Sequence, residues 1–331
     1  MKKEKILITG SSGYIGSCLS NYLRYKKNFY YLDAKRPSRW NKRQNKNFIK
    51  CNLLNLKKLK KIIQKINPSI VIHLAAQSTV NEKIDKNNYE LNNVKATKNL
   101  LIAMNEFGIK KLIFSSTASV YDKCSLPIKE KHKIKPISNY GISKYSAEKI
   151  IKKSTKISYV ILRFFNVSGC INKPLIGEFH NPETHLIPIS VYKALNKKMI
   201  NIFGSNYLTK DGTCVRDYVH IKDICSAIYN SIIYIGKKKS IILNIGNGKG
   251  VSNKQVVNNL NNFFDYEIPI NFLQKRKGDQ PVLVCNIEKA KKFLDWKPKN
   301  SSIKKILSDE IRWSKFLIHG KIKRRFLNVQ K

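Results

Sequence analysis

A phenol and an ammonium four positions apart, Tyr140 and Lys144 in Tyr140-Gly-Ile-Ser-Lys144, are the most suggestive chemistry in this 331-residue sequence. On a helix they share one face, a single turn apart. Tyrosine near its ordinary pKa of about 10 is a poor base at neutral pH. A neighbouring ammonium favours the phenolate and so makes the pair a candidate proton acceptor. Spacing alone decides nothing in so lysine-rich a chain, because Tyr22/Lys26, Tyr31/Lys35, Tyr145/Lys149, Tyr218/Lys222 and Tyr234/Lys238 repeat it. Order along the chain does decide. Only Tyr140/Lys144 follows an apolar strand that ends in the hydroxyl cluster Ser115-Ser116-Thr117 and precedes a helical stretch, Tyr145–Lys152. Thr117, Tyr140 and Lys144 are therefore the expected catalytic set.

A second constellation lies near the start. Gly10-Ser-Ser-Gly13-Tyr-Ile-Gly16 follows a short apolar run and opens a helical pattern. Small residues there let the backbone approach a pyrophosphate, and a helix N-terminus supplies amide donors and a favourable dipole. Asp33 ends the next apolar run. A carboxylate at that point accepts from an adenosine ribose and repels a 2′-phosphate, so NAD is expected rather than NADP. Lys35 and Arg36 soften that preference. The positive nicotinamide of the oxidised cofactor would further favour a phenolate at Tyr140.

The elements that must position these groups alternate. Strands are expected at Lys5–Thr9, Phe29–Leu32, Ser69–Leu74 and Lys111–Ser115. Between them lie helices from Tyr14 to about Tyr25, through Leu56, Leu59, Ile62 and Ile63, and over Tyr89–Phe107, with Gly108 as its cap. Such alternation implies an α/β fold, a Rossmann-type doubly wound parallel sheet. The rhythm breaks near Asn166, where Pro, Gly and His become frequent. Residues 1–165 are read as the cofactor domain and 166–315 as a smaller mixed α/β substrate lobe, some segments of which return to the first. Residues 316–331, with Lys321–Arg325, are read as a basic C-terminal extension.

Composition narrows the classes. The formal net charge is +43, but the lysines are spread over nearly every segment and accompany no nucleic-acid motif. Background composition with nonspecific polyanion affinity is the expectation, not a specific nucleic-acid partner. No apolar run approaches the ~18 residues that span a bilayer, so no membrane insertion is expected. The lysines of the first segment run directly into a strand, unlike a signal peptide. Seven scattered cysteines without a metal-type spacing fit free thiols in a reducing cytoplasm.

With these segments assembled, the chain resembles the extended short-chain dehydrogenase/reductase family and, within it, the UDP-glucose 4-epimerases. The resemblance runs through TGSSGYIGS at Thr9–Ser17, VIHLAA at Val71–Ala76, FSSTASVY at Phe114–Tyr121 and YGISK at Tyr140–Lys144. It continues through RFFNVSG at Arg163–Gly169, HNPETHLIP at His180–Pro188 and IFGSNYLTKDGTCVRDYVHIKD at Ile202–Asp223. It implies a 4-epimerase acting on a UDP-sugar: Tyr140 takes the proton of the 4-hydroxyl while the C4 hydride moves to NAD, the keto sugar turns over, and the hydride returns to the other face. Thr117 is implied to hydrogen-bond the 4-oxygen, and Lys144 to hold the nicotinamide ribose and lower the Tyr140 pKa. Cofactor contacts are implied for Gly10, Gly13, Tyr14, Ile15, Gly16 and Asp33, then for Asn52, Leu53, Leu74, Ala75, Ala76 and Ser78. Asn93 and Phe165 complete that side. Asn166, His185, Leu186, Asn201, Ile202 and Phe203 are implied to face the UDP-sugar, with Arg216, Arg276, Asp279 and Leu283. A guanidinium fork matches pyrophosphate oxygens, which suits both arginines. A homodimer through the Tyr89–Phe107 and Tyr140–Lys153 helices is also implied.

Several positions depart from the family pattern. Asn52 replaces an acid near the adenine, Ser78 a lysine beside the cofactor ribose, Ala34 an asparagine and Phe164 a tyrosine. Two readings compete with epimerisation. Nucleotide-sugar 4,6-dehydratases and decarboxylases belong to the same superfamily. A dehydratase must protonate a leaving hydroxyl, and those enzymes carry Asp-Glu after the catalytic hydroxyl residue. Here Ala118-Ser119 follows Thr117, and neither can serve as that acid. The other reading, a non-catalytic NAD-binding scaffold for polyanions, leaves Thr117, Tyr140 and Lys144 without a purpose.

Overall fold

The computed structural model describes residues 4–26, 28–37, 47–79, 85–122, 126–172, 175–180, 182–236, 240–276, 278–320 and 322. The chain opens with β1 (Ile6–Thr9), α1 (Tyr14–Tyr22), β2 (Phe29–Asp33), β3 (Phe48–Lys50), α2 (Leu56–Ile66) and β4 (Ile70–His73). Every residue of β1 and β4 is buried, as expected for parallel strands covered on both faces. Asn55 caps α2 by accepting from the Lys58 amide, and Asn67, in the left-handed region at φ 47°, ends it.

The long helix expected over Tyr89–Phe107 is not one regular helix. It starts earlier, as α3 (Lys86–Tyr89), loosens into a π-helical turn over Glu90–Lys95, and continues as α4 (Ala96–Glu106). Gly108 follows with φ 68°. Next come β5 (Lys111–Thr117), α5 (Asn139–Lys153) and β6 (Ser158–Phe164). Helix α5 begins six residues ahead of the expected Tyr145, because the Ser138 side chain caps it by accepting from the Gly141 amide. Tyr140 and Lys144 therefore sit in its first two turns.

The remaining elements are β7 (Asn166–Ser168), α6 (Leu186–Leu195), β8 (Ile200–Phe203), β9 (Val215–His220), α7 (Ile221–Ile235) and β10 (Ile241–Ile245). They are followed by β11 (Gly250–Ser252), α8 (Asn253–Asn261), β12 (Ile270–Leu273), β13 (Val282–Leu283), α9 (Glu288–Leu294) and α10 (Ile303–His319). A seven-stranded parallel sheet runs in the order β10-β6-β5-β4-β1-β2-β3. The order reverses between β1 and β4, which is where a doubly wound sheet opens its ligand crevice. Strand β10 returns from the second half of the chain to pair with β6. Separate apolar clusters cover the two faces of this sheet, one around Ile8, Ile72 and Leu162, the other around Leu7, Val71 and Phe114.

The smaller lobe is mixed. In it β9 pairs in parallel with β7 and β13 and antiparallel with β11, while β8 and β12 form a parallel pair. Helices α6, α8 and α10 close over a third core around Val191, Val256 and Leu307. Helix α10 carries the chain on to His319 with Leu317 buried, so the expected boundary at residue 316 falls inside this helix. Of Lys321–Arg325 only Ile322 is described, and it packs against the Trp313–Leu317 cluster; the rest of the basic tail lies outside the described residues.

Candidate active site

The glycine loop is built for close approach. Gly10 has φ 71°, and a Cβ on it would come within 2.3 Å of the Ala75 amide nitrogen. A Cβ on Gly16 would lie 2.2 Å from the Gly10 carbonyl oxygen. The β1–α1 turn, the first turn of α1 and the loop after β4 therefore meet without side chains between them. No side-chain cap closes the N-terminus of α1, whose N-cap position is Gly13. The Asp33 carboxylate accepts from the Ser12 amide through one oxygen and the Lys35 amide through the other, each at 2.9 Å. Helix-end amides, a bare backbone and a carboxylate fixed beside them suit a dinucleotide.

Residues expected on the cofactor side divide by what they do here. Leu74, Ala75 and Ala76 are half-buried at the carboxyl end of β4, Ile15 is half-buried and Ser78 is exposed. Asn93, in the π-helical turn, is a knot: its Oδ1 accepts from the Gln77 amide at 2.7 Å and its Nδ2 donates to Ser143 Oγ at 2.8 Å. A π turn tips one residue out of helical register, often at functional sites, and here it ties the loop after β4 to α5 beside Lys144. The Tyr14 hydroxyl donates to the Gly169 carbonyl, and Asn52 Oδ1 accepts from the Leu54 amide at 2.9 Å. Leu53 and Phe165 are buried in the core, at 5% and 4% exposure.

Thr117, Tyr140 and Lys144 come together at the carboxyl end of β5. A Cβ on Gly141 would stand 2.4 Å from the Ser119 carbonyl oxygen, so the missing side chain lets α5 press onto the turn after Thr117. Thr117 Oγ1 accepts from the Ser119 amide at 3.1 Å and lies 3.2 Å from Ser119 Oγ. Burial pushes the Tyr140 phenol up to about 12, against the lowering effect of the nearby Thr117 hydroxyl. Burial also draws the Lys144 ammonium down to about 7, with Glu148 opposing. The expected lowering of Tyr140 by Lys144 is not seen within the protein itself, where desolvation penalises both charged forms.

Two supporting groups were not foreseen. Glu148, one turn beyond Lys144, is fully buried; it accepts from Ser116 Oγ at 2.5 Å and from Arg163 through both oxygens, at 3.0 and 2.7 Å. It ties α5 to β5 next to Thr117, and its i+4 spacing from Lys144 was the available signal. His73 bridges Thr9 Oγ1 at 2.7 Å and Thr97 Oγ1 at 3.0 Å. Burial, and then the Lys144 charge, lower its pKa to about 3.

On the substrate side the structure gathers the arginine group. Arg216 donates to the Gln280 carbonyl at 2.7 Å and reaches Asp279 at 3.4 Å. Leu283 is paired in register with Arg216. The Arg276 guanidinium lies 3.7 Å from the centre of the Phe203 ring. Gln280 in turn donates to the Tyr121 carbonyl at 3.3 Å, which connects this group to the segment after Thr117. Asn166 pairs with Tyr218 through β7, and Asn201 accepts from Asn271. Ile202 differs from the expectation. Its side chain is fully buried in the core while Asn201 and Phe203 are half-buried, because alternate residues of a strand face opposite ways. Arg276 is exposed, so the two arginines are not equally shielded. His185 stands at the N-cap position of α6 ahead of Leu186 without capping it through its side chain, and its Nδ1 meets Glu178 and Glu183.

Comparison with known proteins bears on this arrangement. The NAD dependent epimerase/dehydratase family matches residues 6–246. The chain belongs to that family. Among its relatives, the UDP-glucose 4-epimerase of Halalkalibacterium halodurans is 35% identical over 323 residues, covering 95% of this chain and 97% of the relative. The crystal structure of UDP-glucose 4-epimerase from Brucella ovis in complex with NAD is similar, with a TM-score of 0.88 and 29% identity over 94% of this chain and 98% of that one. The UDP-glucose 4-epimerase from Bifidobacterium longum in complex with NAD+ and UDP aligns with a TM-score of 0.87 and 27% identity, over 96% and 99% of the two chains. Family membership thus covers the glycine loop, Asp33 and the Thr117–Tyr140–Lys144 set in one stretch.

Proposed function

We infer that this protein is an NAD-dependent isomerase, a UDP-glucose 4-epimerase that interconverts UDP-glucose and UDP-galactose. The observation that carries the reading is the meeting of Thr117, at the end of β5, with the part of α5 that bears Tyr140 and Lys144, where a Cβ on Gly141 would stand 2.4 Å from the Ser119 carbonyl oxygen. The same crevice holds the glycine loop and Asp33. NAD bound there supplies the hydride acceptor and donor for C4.

The residues do the rest. Gly10, Gly13 and Gly16 admit the pyrophosphate of the dinucleotide, and Asp33 accepts from its adenosine ribose. Tyr140 takes the proton from the 4-hydroxyl as C4 is oxidised and returns it to the 4-oxygen after the sugar has turned over. Thr117 holds that oxygen and can relay the proton through Ser119. Lys144 orients the nicotinamide ribose. Because burial alone pushes Tyr140 toward its neutral form, the positive charge of an oxidised nicotinamide would favour the phenolate that accepts the substrate proton. Arg216 and Arg276 hold the substrate pyrophosphate, and Leu283 bounds the hexose.

Exposed Leu91, Ile102 and Ile142 lie on the α3–α4 and α5 segments. They support a homodimer formed through these helices, with mass by light scattering as its test. Buried free thiols, among them Cys18 and Cys225, suit a reducing cytoplasm, and interconversion of UDP-glucose and UDP-galactose would suit a role in galactose metabolism.

The deciding experiment incubates the purified chain with UDP-galactose, NAD and no external reductant. UDP-glucose should accumulate to equilibrium with no net change in NADH. Recovery of bound NAD without any turnover would favour the scaffold reading instead. Release of a 4-keto-6-deoxy sugar nucleotide would favour a dehydratase.

A further inference from the structure

Ahead of α6 stands a group of side chains that the hydride chemistry does not employ as a set. Glu178, His180, Glu183 and His185 each offer one ligand atom, and these atoms all lie within 4.8 Å of one another. Glu178 Oε1 is 2.7 Å from His180 Nδ1 and 3.0 Å from His185 Nδ1. Glu183 Oε1 is 2.8 Å from the same His185 Nδ1. Both carboxylates are buried, at 3% and 0% exposure.

Two features set this group apart from an ordinary pair of His–Glu hydrogen bonds. Two carboxylate oxygens converge on one imidazole nitrogen, which carries at most one proton. Glu183 Oε1 is already fixed by the Thr184 and His185 amides, at 2.8 and 2.9 Å. Its Oε2 is buried with no hydrogen-bond partner among the described residues. Buried charges are stable when they are paired or coordinate a metal. Two carboxylates and two imidazoles carry a net negative charge unless both rings are protonated, whereas one divalent cation balances the two carboxylates with both rings neutral.

We propose that Glu178, His180, Glu183 and His185 form a binding site for a divalent transition-metal ion of the zinc type. Two imidazoles and two carboxylates match its preferred ligands, while calcium and magnesium favour all-oxygen sets. Tetrahedral coordination with bonds of about 2.0–2.1 Å needs ligand atoms about 3.3 Å apart. The pairs at 2.7 to 3.0 Å must then open slightly. Trp313 Nε1 donates to the Glu178 carbonyl and holds that end of the segment against α10. The ion is structural, since all four positions are protein ligands. It clips residues 178–180 to the start of α6, fixing the position of His185 and Leu186.

The test uses the full chain, stripped with a chelator and then dialysed against Zn2+ or Co2+. About one equivalent of Zn2+ should remain per chain. Co2+ should give the intense visible absorption of a tetrahedral site, and Zn2+ should raise the melting temperature. His180→Ala, at a side chain that is a quarter exposed, should weaken Zn2+ binding by at least about tenfold and abolish the Co2+ spectrum. Glu183→Gln is the second variant, with circular dichroism as the control for folding. Retention of the full equivalent and the same Co2+ spectrum in both variants would place the metal elsewhere and overturn the proposal. Absence of stoichiometric Zn2+ in the folded wild type would overturn it too. None of these readouts depends on epimerase turnover, so the two readings fail separately.

Discussion

Gly141 and Ser119 stand so close that a Cβ on the glycine would come within 2.4 Å of the serine carbonyl oxygen. That contact sets helix α5 against the turn after β5, and through it the register of Tyr140 against Thr117. An alanine at 141 must push the helix away from backbone, which cannot yield as a flexible side chain would. Displacement of a catalytic group by about 1 Å can cost on the order of 10²-fold in rate. Gly141→Ala is therefore expected to lower kcat by about tenfold or more while the KM for UDP-galactose stays near its wild-type value. Steady-state kinetics on folded protein would decide it, and unchanged kcat would show that the approach is not needed.

Tyr140→Phe removes only the transferable proton. General acid–base catalysis typically contributes about 10²–10⁴-fold, so kcat should fall by at least ~10² with little loss of UDP-sugar affinity. Thr117→Val should cost less, since Ser119 Oγ lies 3.2 Å from Thr117 Oγ1 and remains to meet the 4-oxygen. Turnover within tenfold of wild type in the phenylalanine variant would remove Tyr140 from the mechanism.

Lys144 trades stability for chemistry. Its ammonium is almost completely buried, and burial lowers its pKa to about 7, whereas an unfolded lysine titrates near about 10.4. Between these values the unfolded chain binds the proton and the folded chain does not, so this group favours folding more as pH rises from 7 to about 10. Below pH 7 its full cost applies. Lys144→Met should therefore be inactive yet melt higher than wild type, with the difference largest below pH 7 and shrinking toward pH 10. Melting curves across that range measure it, and a constant or inverted difference would mean that Glu148 compensates the ammonium completely.

Much of this site was legible because its logic is local. Gly10 to Gly16, the carboxylate closing β2, and a Tyr/Lys pair after a hydroxyl-ended strand all depend on neighbours in sequence or on strand–helix order. What escaped depends on contacts between distant segments. Glu148 acquires its meaning from Ser116 and Arg163, on two strands that are paired only in the fold. The π turn at Glu90–Lys95 is invisible to periodicity, since its apolar spacing suits an α-helix. Ile202 shows a different limit: a strand alternates its side chains, so of Asn201, Ile202 and Phe203 only the first and last have side chains outside the core.

Cofactor choice should rest on Asp33. Its carboxylate is locked by the Ser12 and Lys35 amides, so it cannot swing away from a 2′-phosphate. A like charge at ~4 Å costs on the order of 4 kcal/mol at surface-like screening, and about 1.4 kcal/mol already gives tenfold discrimination. Apo-enzyme should regain activity with NAD and not NADP, and Asp33→Asn should narrow the gap at least about tenfold. Equal rescue of the wild type by both dinucleotides would mean that Lys35 and Arg36 outweigh the carboxylate.

Substrate breadth should rest on Leu283. This half-buried residue lies on β13 in register with Arg216, and it packs against the main core cluster. If the arginine group holds the pyrophosphate as proposed, a neighbour of Arg216 bounds the space through which the hexose must turn. An acetamido group at C2 sweeps more volume than a hydroxyl during that rotation, and leucine leaves less room than serine. Overpacking costs typically ~1–3 kcal/mol, which corresponds to roughly tenfold to a hundredfold in rate. UDP-N-acetylglucosamine should therefore be turned over measurably but more slowly than UDP-glucose. Leu283→Ser should raise its relative rate by opening the wall. Leu283→Tyr should suppress it selectively, because the larger ring fills the same space while glucose and galactose still fit. The measurement is the ratio of kcat/KM for the two substrates in each variant, which cancels general effects on folding and cofactor loading. Were both variants to keep the wild-type ratio, the wall beside C2 would be made by another residue and Leu283 would serve packing alone.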